Sequence, residues 1–363
     1  MATLRRQTPD LLLLLAILAL LGLGLVMVAS AGSIKGLDRN DVFHYIKHQI
    51  VFAAVGLLGL LFMMRFDYRH LRKFVSPLAV LTPVLLILVL IFGTRINGAR
   101  NWIDLKFFNF QSSEFAKLAM VIVIAHYLTE LGDNVKRFRA GILIPMLYTG
   151  FLALLIAKSP DFGAVIVLLM TFFCILFTSG VRVGYLLAIF VPAISGLMFA
   201  AVKLEYIRNR IIGFLHPDKD PLGKGYQILQ SLMALGSGGL FGVGVGRSRA
   251  KFNYLPEAHT DYIFSIVGEE LGLIGTVFVV TMLFFIIWRG FKAAMGAKDV
   301  FGTLLGAGIV CMIGTQAILN IGVVTSSLPV TGVTLPLLSY GGSSLIMTLT
   351  GLGILLNISR QAK

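Results

Sequence analysis

The chain has 363 residues, of which 57% are hydrophobic and 13% are charged, and its mean hydropathy is +0.89. These values exclude a soluble globular domain and predict a polytopic membrane protein. The formal net charge of +14 is ascribed mainly to membrane topology and not to nucleic-acid binding, which needs a basic patch on a soluble surface.

Ten apolar runs are long enough to cross a bilayer, which takes roughly 20 residues of helix. They lie near residues 11–31, 46–64, 75–93, 112–131, 141–157, 162–179, 184–203, 262–288, 300–325 and 343–358. They predict an all-α fold, a bundle of ten transmembrane helices that forms one domain over residues 1–363. A large loop, about 204–260, joins helices 7 and 8.

The first run follows Arg5 and Arg6 and ends in small residues, as a signal peptide does. Because its apolar stretch is longer than a typical signal, we favour an uncleaved first span. Ten spans put both termini on one side, and the basic short loops share that side. The positive-inside rule makes it cytoplasmic and predicts a protein of the bacterial cytoplasmic membrane.

Two cysteines are present, Cys174 in the sixth run and Cys311 in the ninth. Both fall in the middle of a span. We expect inert buried thiols and no disulfide framework.

Three segments on the opposite, outer side are longer than minimal turns: 94–111, 204–260 and 326–342. The middle one exceeds fifty residues, and loops of that size are usually functional or disordered. Its Gly-rich and partly apolar text, GYQILQSLMALGSGGLFGVGVG, favours ordered re-entrant or interfacial segments. The inner loops are short and no GxxxxGK[ST] string occurs, which argues against an ATP-driven pump.

The segment YLPEAHTDYIFSIVGEELGLIG, residues 254–275, concentrates polar groups against an apolar helix pattern. We expect Asp261 in the first turn of helix 8, at the outer membrane boundary, with His259 or Thr260 as its cap. A carboxylate there is either a partner of the helix dipole or a group that reaches a polar substrate.

Glu269 and Glu270 follow on the same predicted helix. Glu269 lies about 12 Å deeper than Asp261 at roughly 1.5 Å per residue, beyond the roughly 5–9.5 Å that separates carboxylate pairs in glycoside hydrolases. We therefore expect no acid–base pair, and two buried, paired glutamates. They serve either packing or function, because ionisable groups in a membrane indicate functional sites.

Basic residues also occur on the outer side, against the positive-inside preference. They are Arg95, Arg100, Lys106, Lys158, Arg208, Arg210, Lys224, Arg247, Arg249 and Lys251. An anionic ligand, such as a phosphate or diphosphate, is the simplest explanation. The alternative is that some of these side chains snorkel to lipid headgroups.

Other outer residues allow two interpretations each. Trp102 is either an interfacial tryptophan or a wall of the site. Ser112 or Ser113, before Glu114, resembles a helix cap. Asp161, after Pro160 in KSPDFG, either starts a helix or belongs to the site.

These strings together resemble the SEDS family of bacterial cell-wall polymerases (shape, elongation, division and sporulation proteins). The matching motifs are NGARNWI, QSSEFAKLA, KSPDFG, DPLGKGYQ, GGLFGVGVG, YLPEAHTDYIFSIVGEELG and PVTGVTLPLLSYGGSSL. They cover nearly the whole chain and look more like the FtsW and SpoVE branch than like RodA. Ser112 replaces the family's usual proline and Ser159 a common glutamine, which affects local loop shape.

The resemblance implies a peptidoglycan glycosyltransferase that joins lipid II disaccharides outside the membrane, for cell division or sporulation. The family's essential aspartate matches Asp261 and its loop tryptophan matches Trp102. We place around them, as substrate-binding residues, Arg100, Lys158, Asp161, Arg210, Lys224, Arg247, Arg249, Lys251, His259, Glu269 and Ser343.

The implied reaction needs both positive charges and a base. The diphosphate leaving group needs cations, whereas the acceptor hydroxyl needs a base, which we assign to Asp261. The polyprenyl tail needs an apolar groove open to the bilayer. A divalent cation on the diphosphate is a candidate cofactor, although no ligand cluster of specific spacing indicates one.

Three alternatives stay open at this point, one of which is a scaffold that only recruits an enzyme. A lipid II flippase would need Glu269 and Glu270 and not Asp261, and an elongation polymerase of the RodA type would share the site. The family works with class B penicillin-binding proteins, which are transpeptidases, so such a partner is expected in each case alongside the membrane lipids.

Overall fold

A computed structural model describes residues 8–37, 39–96, 99–104, 109–188, 208, 213–215, 224–252 and 254–362. Most of its helices follow the predicted apolar runs. They are α1 (Leu11–Leu37), α2 (His44–Arg65), α3 (Val75–Phe92), α4 (Ser112–Leu131), α5 (Ile144–Lys158), α6 (Phe162–Thr178), α7 (Lys224–Ser237), α8 (Ile263–Met295), α9 (Val300–Val324) and α10 (Gly342–Gln361).

The all-α membrane class is confirmed. Among the described residues, eight helical segments are long and apolar enough to cross a bilayer, and the predicted sixth span is an apolar helix of 17 residues, α6. Most of the predicted seventh span, 184–203, lies outside the described residues. The count of ten therefore stays a prediction.

The predicted loops contain further structure. Strands β1 (Thr94–Ile96), β2 (Ala99–Asp104) and β3 (Asn109–Gln111) form an antiparallel sheet in the order β1–β2–β3. Helix α7 lies inside the long segment before α8, which agrees with the ordered segments predicted there.

Two expectations about the spans are wrong. Helix α8 continues to Met295, so Arg289 and Lys292, predicted in a loop, lie on its last turns. Cys174 and Cys311 form a disulfide, because α6 packs against α9 and brings their Cα atoms to 6.6 Å. That proximity of two distant spans was not visible in the sequence.

Two polar contacts between α1 and α8 measure the thickness of the bundle. Asp10 pairs with Arg289 at 2.7 Å, and Ser30 donates to Glu270 at 2.6 Å. The contacts are 20 residues apart on α1 and 19 apart on α8, or about 30 and 28 Å at 1.5 Å per residue. This matches the roughly 30 Å of a hydrocarbon core, so we infer that the contacts lie near its two edges, here called the Asp10 end and the Asp261 end.

This measure corrects the expected depth of Glu269 and Glu270. Both are buried, yet they lie at the edge of the core and not far inside it. Large exposed apolar side chains on α8 begin at Leu273 and Ile274, directly after the glutamates. The start of α8 at Ile263 lies about 10 Å beyond Glu270, and the turn with Asp261 precedes it.

Helix α8 is broken at Gly272, whose φ of 67° and ψ of −163° are not helical. The break frees backbone groups that a membrane helix must satisfy. The glycine-rich segment (residues 238–251) satisfies them. The bonds run from Val243 N to Glu269 O (3.0 Å), Gly244 N to Glu270 O (3.1 Å), Leu273 N to Gly239 O (2.9 Å) and Ile274 N to Leu240 O (3.3 Å).

Replacing Gly242 by Ala tests this docking. Gly242 has φ of +77°, and an added Cβ would overlap the carbonyl group of Glu270. We expect Gly242→Ala to lower the free energy of unfolding by about 1–3 kcal/mol, from backbone strain and the lost close approach. Gly236→Ala is the control, because its Cβ meets no atom within 4 Å. Equal thermal midpoints for both variants and the native chain would contradict the docking.

Candidate functional site

The turn that carries Asp261 is held through its backbone. The carbonyl oxygen of His259 accepts from Tyr340 N at 2.9 Å. The next carbonyl, of Thr260, accepts from Ser339 Oγ at 2.6 Å. Residues 326–341 therefore fix the position of the turn from the side.

Asn320, on α9, completes this support. Its Nδ2 atom donates to the carbonyl oxygens of Asp261 and Val333, both at 2.7 Å. Gly332 lies beside the carboxylate, since a Cβ built on it would be 3.6 Å from Asp261 Oδ2. Asn320 was missed by the sequence analysis, because an asparagine in an apolar helix looks like a packing residue.

Asp261 itself lies before α8 and not in its first turn. The helix begins at Ile263, and neither His259 nor Thr260 caps it. Thr260 Oγ1 instead bonds to Glu257, at 3.2 Å to its carbonyl and 3.1 Å to its carboxylate. The cap prediction is wrong because the chain stays in turns until residue 262, while the partly exposed position of Asp261 at the end of the bundle agrees with expectation.

His259 is buried in an aromatic cluster next to this turn. Its ring lies 4.5 Å from the Tyr45 ring and 5.6 Å from the Tyr340 ring, centroid to centroid. Burial, and then the nearby Lys35, lower the pKa of His259 to about 4. Burial alone would raise the pKa of Glu257, but the Lys35 ammonium at 3.2 Å holds it below its usual value. His259 is thus neutral near pH 7 and packs the turn against α2.

Asp161 gathers four donors from separate elements. Its Oδ2 atom accepts from Asn101 at 2.9 Å, Ser113 at 3.0 Å and Gln111 at 3.3 Å. Its Oδ1 atom accepts from Ala164 N at 3.1 Å, which caps α6. Burial raises the pKa of this carboxyl group. The helix-start interpretation is therefore correct, and Asp161 also fixes the sheet that bears Trp102, so its carboxylate is engaged by protein donors.

A buried ion pair lies close to Asp161. Lys117 Nζ is 2.8 Å from Glu114 Oε1, and both side chains are almost fully buried. The charges of both residues act on Asp161. Lys117 was not predicted as a site residue, although a lysine three positions after a glutamate in an apolar helix is a detectable signal.

The carboxylate of Glu269 accepts hydrogen bonds from the glycine-rich segment. Its carboxylate accepts from Ser248 Oγ at 2.5 Å, Arg249 N at 2.7 Å and Ala250 N at 3.3 Å. The expected pairing is confirmed. Donors of the segment use both of its oxygens, and its assignment to substrate binding stays a prediction.

Glu270 and Lys251 connect the same segment to α1. Lys251 Nζ is 3.2 Å from Glu270 Oε1, 3.0 Å from Ser30 Oγ and 2.6 Å from the Gly246 carbonyl. Lys251 is 6% exposed. It was predicted among the ligand-facing cations, but its ammonium group neutralises a buried carboxylate instead.

Two further predicted ligand contacts serve the fold. Arg100 donates to the carbonyls of Leu90 and Ile91 at 3.1 and 3.4 Å, and so caps the negative end of α3. Ser343 Oγ accepts from Gln111 N at 2.9 Å and joins β3 to α10. Both contacts depend on which loop lies beside which helix, and the substrate-binding roles of these two residues stay predictions.

The remaining predicted residues are still candidates for substrate binding. Trp102 is half-buried on β2, paired with Thr94 and Gln111. Lys158, Arg208, Arg247 and Arg249 are exposed and form no ion pair among the described residues. Arg210, Lys106 and the side chains of Arg95 and Lys224 lie outside the described part of the chain.

The described residues offer no clustered set of metal ligands. Within the described ranges, no group of three or more His, Cys, Asp or Glu side chains could hold a metal ion. A divalent cation that binds mainly to diphosphate oxygens would need fewer protein ligands.

Comparisons with known proteins identify the family. The family model for FtsW, RodA and SpoVE, described as a cell cycle protein, matches residues 11–363. The chain belongs to this family. Stage V sporulation protein E of Bacillus subtilis is 43% identical over 99% of this chain and 100% of its own length. A probable peptidoglycan glycosyltransferase FtsW of Trichlorobacter lovleyi is 42% identical over 98% of this chain and 94% of its own length.

Solved structures of the family agree with the fold. A chain from a peptidoglycan synthase complex that coordinates polymerization and crosslinking has a TM-score of 0.80, at 30% identity over 97% of this chain and 98% of that chain. The rod shape determining protein RodA of Thermus thermophilus gives 0.73, at 31% identity over 98% and 97%. The resemblance inferred from the motifs is confirmed.

The support of Asp261 by Asn320 is testable in this family member. Asn320→Asp replaces the amide donor with a carboxylate that faces two carbonyl groups. We expect a loss of about 1–3 kcal/mol in the free energy of unfolding and a larger fractional loss of enzymatic activity at equal folded amounts. Gln316→Met is the control one turn away, because neither amide atom of Gln316 has a partner among the described residues. Native-like stability of Asn320→Asp would contradict the assignment.

The neutral state of His259 predicts a pH dependence. Its folded pKa of about 4 lies below its ordinary value of 6.5, so the unfolded state binds more protons between these values. Stability from this residue is complete above pH 6.5 and is lost as the pH falls toward 4. His259→Phe keeps the aromatic packing and removes this titration. The thermal midpoint should therefore decline less for the variant than for the native chain between pH 7 and pH 4.5, and parallel declines would refute the prediction.

Proposed function

We propose that the chain is a peptidoglycan glycosyltransferase that polymerises lipid II, with Asp261 as the general base on the acceptor sugar hydroxyl. The observation that carries the proposal is the turn at residues 259–261. Its three consecutive carbonyls are all bonded, while the Asp261 carboxylate stays partly exposed beyond the hydrocarbon edge. Several relatives at about 40% identity over nearly the full length are named probable peptidoglycan glycosyltransferase FtsW.

The reaction needs two kinds of charge. A diphosphate is already a good leaving group, so cations stabilise its departure, and exposed Arg247 and Arg249 are the described candidates nearest to Asp261 in sequence. A sugar hydroxyl is a weak nucleophile and is helped by a carboxylate that accepts its proton. Direct attack by the hydroxyl inverts the donor anomeric centre.

The proposed substrate determines which end of the helix bundle faces the outside of the cell. A lipid-linked disaccharide outside the cell membrane requires the Asp261 end to be extracytoplasmic and both termini to be cytoplasmic, in agreement with the basic short loops. A class B penicillin-binding protein is the proposed partner, since the similar structure of 0.80 TM-score comes from a complex that combines polymerization and crosslinking. Cell division or sporulation is the proposed setting, as FtsW and SpoVE are among the relatives.

The flippase alternative loses its main support. It required Glu269 and Glu270 as groups that act on a transported lipid. Glu269 is bonded to Ser248, Arg249 and Ala250, and Glu270 to Lys251 and Ser30. These contacts occupy both oxygens of Glu269 and Oε1 of Glu270, whereas Glu270 Oε2 is buried without a hydrogen-bond partner among the described residues.

The test is polymerisation of labelled lipid II by the purified chain with its transpeptidase. Asp261→Asn should lower glycan-strand formation by about 10²–10⁴-fold at equal folded amounts, because the base is lost. Asp41→Asn is the matched control at the same end of the bundle, where the Asp41 carboxylate accepts from exposed Lys47 and from the Phe43 amide. Strands that persist in Asp261→Asn would move the chemistry elsewhere and revive the flippase alternative.

A further inference from the structure

The segment that joins α4 to α5 lies at the Asp10 end of the bundle. Arg72 Nη1 is 4.0 Å from Glu130 Oε1, on the last turn of α4, and Arg72 Nη2 is 3.7 Å from Asp299 Oδ1. Asp299 follows the last turns of α8, where Arg289 pairs with Asp10. The segment therefore lies at the opposite end of the bundle from Asp261.

This segment carries more positive than negative charge. Residues 132–139 read GDNVKRFR, with exposed Lys136, Arg137 and Arg139 and a single acidic side chain, Asp133. None of the three cations forms an ion pair among the described residues, with Asp133 or any other. Their charge is thus available to a ligand outside the chain.

The main chain of the segment is held in a defined conformation. Tyr127 Oη, on α4, donates to the Ala140 carbonyl at 2.9 Å, and Val135 is buried. The Arg137 carbonyl accepts from Gly141 N at 2.8 Å. A Cβ on Gly141 would overlap the carbonyl group of Val135, so glycine permits this close approach. The cations stand on a preorganised support, which lowers the entropic cost of binding a ligand.

An aromatic contact brings a further arginine to the same place. The Phe138 ring meets the Tyr185 ring edge to face, with 5.4 Å between centroids. Arg182, in the turn after α6, is exposed, and its Cζ atom is 6.0 Å from the Tyr185 centroid. Two loops that are distant in sequence thus form one surface, here called the basic patch: Lys136, Arg137, Phe138, Arg139, Arg182 and Tyr185.

The basic patch borders side chains that face lipid. Phe138 is 45% exposed, and the start of α5 exposes Leu143, Ile144 and Leu147. On the other side, Phe177 near the end of α6 is 67% exposed. Exposed apolar side chains on membrane helices contact acyl chains, and aromatic and basic residues beyond them lie at the level of the headgroups. Lipid phosphates occupy that level.

We propose that the basic patch binds the phosphates of an anionic phospholipid, most tightly those of cardiolipin, with acyl chains along the exposed face of α5. Guanidinium groups bind phosphate oxygens in pairs. Cardiolipin carries two phosphates in one headgroup, which matches a patch whose arginines come from two loops. In the orientation proposed above the Asp10 end is cytoplasmic, and basic pockets between membrane helices on that side bind such headgroups. An acidic protein segment would not need the apolar surface beside the cations.

The test measures the Kd of cardiolipin for the purified full chain in detergent by native mass spectrometry, which also counts bound lipids. The patch variant combines Arg137→Gln, Arg139→Gln and Arg182→Gln. The control variant removes three other exposed cations at the Asp10 end, none in an ion pair among the described residues and none in the patch: Arg65→Gln, Lys73→Gln and Lys292→Gln. Both variants lose the same formal charge.

We expect the Kd to rise by at least about tenfold in the patch variant and by less than about twofold in the control variant. Phe138→Ala keeps every charge and removes the contact between the two loops, so the Kd should rise about threefold. Phosphatidylcholine, which has no net charge, should bind all variants alike. Inorganic phosphate should not compete, because it lacks the acyl chains.

Three results would overturn the proposal. Equal weakening in the patch and control variants would mean that net charge attracts the lipid. Full competition by inorganic phosphate would mean that the site recognises a free anion. An unchanged Kd in the patch variant would leave the patch to an acidic protein segment.

Thermal midpoints without added lipid show whether each variant is folded. If the patch variant is not, Arg182→Gln alone decides, with an expected rise in Kd of about threefold, and an unchanged value overturns the proposal. The basic patch and Asp261 lie at opposite ends of the bundle. Failure of the lipid site therefore leaves the proposed polymerase function untouched, and the reverse also holds.

Discussion

The arrangement of the candidate site depends on how the backbone groups freed by the break in helix α8 find hydrogen-bond partners. A break in a membrane helix leaves amides and carbonyls without partners, each of which costs several kcal/mol in hydrocarbon. Here the glycine-rich segment supplies the partners, and its glycines permit the close approach of two backbones. The same segment also supplies the donors that bond to the Glu269 carboxylate. One backbone interaction therefore holds the broken helix and the segment together.

The buried charges beside the break also need partners. Glu269, Glu270 and Lys251 lie at the edge of the hydrocarbon core, and each has partners that offset the cost of burial. Glu269 accepts two backbone amides, as anions do at turns, while Glu270 pairs with Lys251. Burying these charges at the edge, and not at the centre, keeps that cost low. Arg247 and Arg249, in the same segment, are exposed.

The site is assembled from loops that rigid helices hold in place. Asp161 joins the sheet of residues 94–111 to α4 and α6, and Ser343 joins that sheet to α10. Asn320 and residues 339–340 hold the turn of Asp261. Most conspicuous polar residues are thus used to fix loops, whereas Asp261 is partly exposed and Lys158, Arg208, Arg247 and Arg249 are exposed. The proposed role of Asp261 as a general base requires positioning of this kind.

The sequence by itself determined the membrane class, nearly all helix positions and the family, and it predicts the role of Asp261. Hydrophobic periodicity and long local motifs carry that information within single segments. Tertiary structure decided the roles of Arg100, Asp161, Lys251, Glu269 and Ser343, the joining of Cys174 to Cys311 and the support from Asn320. Each of these depends on which distant segment lies within hydrogen-bonding or bonding distance. A charged side chain looks the same in a sequence whether its partner is a ligand or a backbone amide 20 or 200 residues away, and only packing makes that choice.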